Sequence, residues 1–113
     1  MLLKDQGFLL DMLLAARKIQ QYVREVSVDD FMNNSLVQDA VLRQLTVIGE
    51  AVKNVSEEYR AQHQEIPWKK IAGFRDVVVH DYGYIDIEEV WEIVQDDVVE
   101  LEKLLEPLIP PPQ

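Results

Sequence analysis

The chain contains no cysteine, which removes disulfides, thiolate zinc sites, iron–sulfur ligation and cysteine nucleophiles together. Positive charge is scarce: 11 Lys and Arg stand against 21 Asp and Glu, a formal charge of −10. Proteins that hold nucleic acid over a broad surface neutralise phosphates with a surplus of Lys and Arg. Here any contact with RNA has to be local and built from a few cations gathered at one site, and DNA is not expected as a partner. The acidic surface is better matched to a basic protein partner. Long apolar runs are also missing. Charge arrives by Lys4 and Asp5 and no stretch of ten apolar residues follows, so neither a signal peptide nor a membrane span is expected, and the cytoplasm is the expected compartment. What is present, 113 residues that are 48% hydrophobic and 28% charged, suits one globular domain with a real core.

Helical periodicity fills most of that length. Phe8, Met12, Ala15, Ile19, Tyr22 and Val26 recur at intervals of three and four, which predicts a helix from Lys4 to Val26. Ser27 and Asp30 suggest a capped short turn of helix ending at Asn33-Asn34. Ser35 and Gln38 form a capping-box pattern, and Val37, Val41, Leu45, Ile48, Val52, Val55 and Tyr59 carry a second helix to about Arg60. Ala61 to Ile66 reads as a loop with an exposed His63, and Pro67 suits the first position of a third helix, Pro67 to Tyr82. The run Val77-Val78-Val79 is β-branched and equally compatible with a strand; as a helix it sweeps about 200° and needs cover on several sides. After Gly83, Asp86 and Glu89 cap a fourth helix whose stripe runs from Ile87 through Val90, Trp91, Val94, Val98, Leu101 and Leu105 to Leu108. The expected fold is all-α, an antiparallel four-helix bundle with a short extra helix or turn, over residues 1–109, followed by a proline-rich tail at 110–113.

Most catalytic signatures are absent. There is no glycine-rich phosphate loop and no paired-His metal pattern, and neither His63 nor His80 has a Glu three residues before it, as a di-iron bundle requires. The acidic clusters Glu57-Glu58, Glu88-Glu89-Glu92 and Asp96-Asp97-Glu100 lie on the polar sides of their helices and read as solvated faces. No cofactor and no metal is expected.

The informative stretch is Phe74-Arg75-Asp76-Val77-Val78-Val79-His80-Asp81-Tyr82. On an ideal helix Asp76 and His80 are four apart and can hydrogen-bond. A carboxylate beside an imidazole fixes its tautomer and raises its pKa, which suits a general acid/base, and an Arg nearby can stabilise charge on a phosphate. Arg75 and His80 point about 140° apart, so the helix distorts, the Arg reaches round it, or a second subunit completes the site. The plain alternative is that Arg75 and Asp76 make bundle salt bridges and His80 is a helix-terminal histidine. The residues alone leave both readings open.

Arg75, four intervening residues and His80, followed by Asp81-Tyr82, resemble the Arg-x-x-x-x-His-x-Tyr motif of HepT-like toxins in the HEPN superfamily. Ile48-Gly49-Glu50-Ala51, Ile66-Pro67-Trp68 and Val90-Trp91-Glu92-Ile93-Val94 agree in order and place, so the resemblance spans nearly all of residues 8 to 105. It implies a homodimer in which Arg75 and His80 of both chains meet in one cleft. It also implies a metal-independent endoribonuclease toxin acting on RNA, paired with a minimal nucleotidyltransferase antitoxin. Arg75 would then bind the scissile phosphate, His80 would act as acid or base, and Tyr82 would match the tyrosine that the antitoxin modifies with AMP. Asp76 stands where many relatives carry Asn and reads as orienting His80 or Arg75. Glu50, beside Gly49, is expected to support the Arg75 cleft or a close helix approach, without a catalytic role. Trp68 and Trp91 read as core anchors. The competing function is a non-catalytic helical module for dimerisation or nucleotide binding beside a nucleotidyltransferase.

Overall fold

Apolar residues at helical spacing must find partners, and in the computed structural model, which describes residues 3–78 and 85–110 (the backbone alone at Leu3 and Val78), they do so around one central helix. The chain runs α1 (Leu3–Tyr22), α2 (Val28–Met32), α3 (Ser35–Asn54), α4 (Glu57–Gln62), α5 (Trp68–Ala72), α6 (Phe74–Val78), α7 (Ile87–Glu92), a π-helical turn (Ile93–Asp97), α8 (Val98–Leu105) and a 3-10 turn (Glu106–Leu108). Every element among the described residues is helical. Its principal extents are 42 × 34 × 19 Å, so it is about two helix layers deep.

The helix α3 is the hub, packed against α1, α2, α5 and α6, while α1 also packs on α8. Val41, Leu45 and Ile48 of α3 are fully buried against Leu9, Met12 and Ile19 of α1, with Val98, Leu101 and Leu105 of α8 closing the core. All but Leu9 lie on the stripes read from the sequence; Leu9 was not on the α1 stripe, and Phe8, Tyr22 and Val26, which were, are only partly buried. Loss of one such side chain costs about 2–5 kcal/mol, transfer and cavity terms together.

Four boundaries differ from the sequence expectation, each for a local reason. The first helix stops at Tyr22, and Glu25 adopts φ 62°, a left-handed conformation that turns the chain before Val26. At α3 the N-cap is Asn34, whose Oδ1 accepts from the Val37 amide at 3.1 Å. Ser35 is therefore not the cap, and the Gln38 side-chain Nε2 donates to the Phe31 carbonyl instead, at 2.8 Å. The second predicted helix does not reach Arg60. It ends at Asn54, Val55 is extended, and Ser56 caps the separate α4. Ser56 is held there by Asp5, a buried carboxylate that accepts from its amide and its hydroxyl, both at 2.7 Å. Asp5 opens α1 and Ser56 follows α3, so the two long helices run antiparallel. The predicted fourth helix is interrupted by the π turn at Ile93–Asp97, a wider coil of the kind that inserts one residue into an α-helix. The Ser27 and Asp86 caps form as expected, accepting from Asp30 at 3.1 Å and Glu89 at 3.2 Å.

The loop after α4 is less open than its polarity implies. His63 is partly buried, its ring stacked on Tyr59 at 4.2 Å, and its carbonyl accepts from the Trp68 indole at 2.9 Å. Burial, with Glu65 and Asp5 adding to it, pushes the Tyr59 phenol above its usual value. Trp68 and Trp91 are half-buried at the edge of the core, Trp91 with its ring 4.9 Å from that of Phe31. None of the described helices is long and apolar enough to cross a membrane.

Candidate functional site

The single helix expected over Pro67 to Tyr82 is two short pieces as far as it is described. Pro67 precedes α5 as its N-cap, and α5 ends at Gly73, whose amide is shared between the Lys69 and Lys70 carbonyls, both at 3.1 Å. The helix restarts as α6, with the Asp76 amide bonded to the Gly73 carbonyl at 3.0 Å. Ile71 and Phe74 are buried in the core, both short helices pack on α3, and Arg75, the next residue, is partly exposed at the rim.

At this rim the backbones come unusually close. A Cβ placed on Gly49 of α3 would lie 2.8 Å from the Arg75 Cβ, 3.1 Å from the Arg75 amide nitrogen and 3.4 Å from the Ala72 carbonyl oxygen. Only glycine fits that separation without displacing α6. One residue on, Glu50 reaches the Arg75 side chain, with Oε1 2.7 Å from Nε. Both side chains keep contact with water, at 38% exposure for Arg75 and 49% for Glu50. An ion pair this exposed is worth about 0.2–1 kcal/mol of stability, so its principal effect is on where the guanidinium sits.

The cation therefore has its nearest described counter-charge on another helix and not at Asp76, which is exposed on α6. Two further cations, Lys69 and Lys70, precede Arg75 in the same short segment and are exposed, Lys70 meeting Asp97 of the π turn at 2.9 Å. Beside Glu50, on the face that α3 shares with α1, a groove of about 450 Å³ is lined by the apolar Phe8, Val47 and Ala51 and by Arg43, Thr46 and Asn54. The sequence reading did not single out Arg43, Thr46 or Asn54. Their signal was the spacing 43, 46, 47, 50, 54, a helical stripe adjoining the core stripe of α3.

His80 and Tyr82 lie outside the described residues, as does the Asp76–His80 pairing expected from their spacing, and Val79 of the valine run with them. Among the described residues no three acidic or histidine side chains gather as a metal site would require.

A guanidinium has the geometry to pair bidentately with carboxylate or phosphate, and here the partner is the Glu50 carboxylate. Residues 12–108 match the model of the HepT-like ribonuclease family. The chain belongs to that family. Among curated HepT-like relatives, a Thermococcus cleftensis protein named as ribonuclease HepT is 36% identical over 103 residues, covering 91% of this chain and 94% of the relative. A Methanocaldococcus jannaschii protein named as an RNase is 33% identical over 101 residues, 89% of this chain and 93% of the relative. Another, from Caldanaerobacter subterraneus, is 38% identical over 87 residues, 77% and 78% of the two chains. No solved structure matches the chain. As a HepT-like ribonuclease it is an enzyme of RNA phosphodiester cleavage.

Proposed function

We propose that this HepT-like ribonuclease is the toxin of a toxin–antitoxin pair, a metal-independent endoribonuclease that works as a homodimer. In this reading the helices around α3 form an antiparallel four-helix bundle, residues 1–109 are one domain, and two bundles bring Arg75 and His80 of both chains into one cleft in the cytoplasm. The observation that carries it is the placement of Arg75, held by Glu50 at a helix crossing yet open to water.

Arg75 binds the scissile phosphate and offsets its charge as the bond order at phosphorus changes. The neighbouring ribose 2′-hydroxyl attacks phosphorus, the bond to the 5′ oxygen breaks, and the product end is a 2′,3′-cyclic phosphate. His80 takes the 2′ proton or delivers one to the departing 5′ oxygen, with Asp76 orienting the imidazole or the guanidinium. Two Arg75 side chains in a partly desolvated cleft give the local positive field that a chain of charge −10 lacks elsewhere. A minimal nucleotidyltransferase antitoxin silences the enzyme by moving AMP from ATP to the Tyr82 hydroxyl, with release of pyrophosphate, which sets an anionic phosphodiester beside the cation that RNA needs.

His80→Ala is expected to lower RNA cleavage roughly 10²- to 10⁴-fold with helicity and thermal stability retained. Arg75→Lys should also impair it, because an ammonium cannot make the bidentate phosphate contact. Light scattering should give about twice the 13.1 kDa chain mass. Co-expression with the nucleotidyltransferase should add an adenylyl mass to Tyr82, absent in Tyr82→Phe. Wild-type cleavage by His80→Ala would remove His80 from the acid–base step and leave that role to another residue.

A further inference from the structure

We infer that Glu50 is a positioning residue for Arg75, and that Gly49 and Glu50 form one device: the glycine admits α6 to close range and the glutamate fixes the guanidinium that arrives there. The inference rests on the reading of Arg75 as the phosphate-binding cation. It starts from a conflict of charge. A carboxylate 2.7 Å from the Arg75 Nε opposes an incoming phosphate, so a site built for phosphate affinity alone would have no reason to keep it. The stability it adds, on a pair this exposed, is small. What Glu50 supplies is a fixed anchor. Arg has a long, rotamer-rich side chain, and a guanidinium left to wander in water has to be ordered each time substrate binds.

The backbone geometry makes the anchor effective. Gly49 and Glu50 are successive residues of α3, a 20-residue helix whose neighbours Ile48 and Val52 are buried, so the carboxylate stands on a rigid base. The base of the Arg75 side chain is fixed as well, because its Cβ lies against Gly49 and Phe74 beside it is buried. With the Cβ pinned from one residue and the Nε from the next, the guanidinium is held at both ends of its own side chain. Its terminal nitrogens are then presented in one direction. Glu50 touches no reacting atom in this arrangement and acts through Arg75.

The test joins a structural readout to a kinetic one. In nitrogen-15-labelled protein, the Nε–H resonance of Arg75, assigned by its loss in Arg75→Lys, should shift and exchange faster with water in Glu50→Ala. RNA cleavage by Glu50→Ala should fall about 10- to 100-fold, the scale of a small misplacement of a binding group, mostly in kcat, with thermal unfolding near that of the parent. Glu50→Asp should recover part of the loss. In Arg75→Ala, adding Glu50→Ala should cost nothing further, because the residue it positions is gone. An Arg75 resonance unaltered by Glu50→Ala overturns the inference, and so does a double variant whose losses multiply. If the resonance responds but Arg75→Ala cleaves as the parent does, the reading of Arg75 as the phosphate-binding cation is wrong, and the positioning role with it.

Discussion

The helices α1 and α3 run for 20 residues each and bury a continuous stripe from Leu9 to Ile19 and from Val41 to Val52, whereas α5 and α6 have five residues each and bury Ile71 and Phe74. The first pair is a scaffold in which each turn is fixed by the turns around it. Helices of five residues are too short to be stable alone, so the second pair takes its position from the surface it lies on. The difference assigns the work. The Arg75 cation is carried on the dependent segment and pairs with Glu50 of the rigid one, which gives it a defined place without burying it. The two arginine pairs repeat the lesson. Arg17 of α1 meets Glu102 at 3.3 Å and Glu106 at 3.1 Å, tying α1 to the end of α8, and lies away from the glycine approach. Arg75 meets Glu50 beside the close approach at Gly49.

That division can be broken by substitution. The largest expected effect is Phe74→Ala, which removes a fully buried ring from the segment's attachment to the core and should cost about 3–5 kcal/mol. Denaturant unfolding should show a lower midpoint, and cleavage should collapse as Arg75 loses its footing. Gly49→Ala sharpens the comparison. Alanine favours a helix interior over glycine by about 1 kcal/mol, while a Cβ at 2.8 Å from another Cβ forces overpacking of about 1–3 kcal/mol. Stability should therefore change by less than about 2 kcal/mol, yet RNA cleavage should fall at least tenfold, since α6 must move away. The smallest effect belongs to Arg17→Ala. Its two pairs are partly exposed, so the loss should be about 1 kcal/mol or less and shrink with added salt. Cleavage should be unchanged, measured under the same conditions as for Gly49→Ala.

Much of this architecture was written in periodicity. The stripes of the long helices, the Ser27 and Asp86 caps and the motif carrying Arg75 all lie in short sequence windows, because helix formation and capping are governed by residues three and four apart. The resemblance of the Arg75 to Tyr82 motif and its companion segments pointed to the family that the comparison bears out. The breaks had weaker local signals that the apolar stripe overrode. Ser56 before Glu57 and Glu58 is an N-cap pattern, and what fixes it is Asp5, 51 positions earlier. Gly73, a poor helix former, stands at the break between α5 and α6.

By itself the sequence determined that the chain is helical, which faces are apolar, that its few cations must act locally, and which residues are chemically equipped to meet a phosphate. The sequence offered Glu50, beside Gly49, as support for the Arg75 cleft or for a close helix approach, and tertiary structure decided that both hold, with Arg75 close against Gly49 and its side chain received by Glu50. The physical reason is range. Helix periodicity is a property of neighbours along the chain, while a 2.8 Å separation and a 2.7 Å ion pair between α3 and α6 depend on how two helices cross, which is fixed only when every stripe of the core has found its partner.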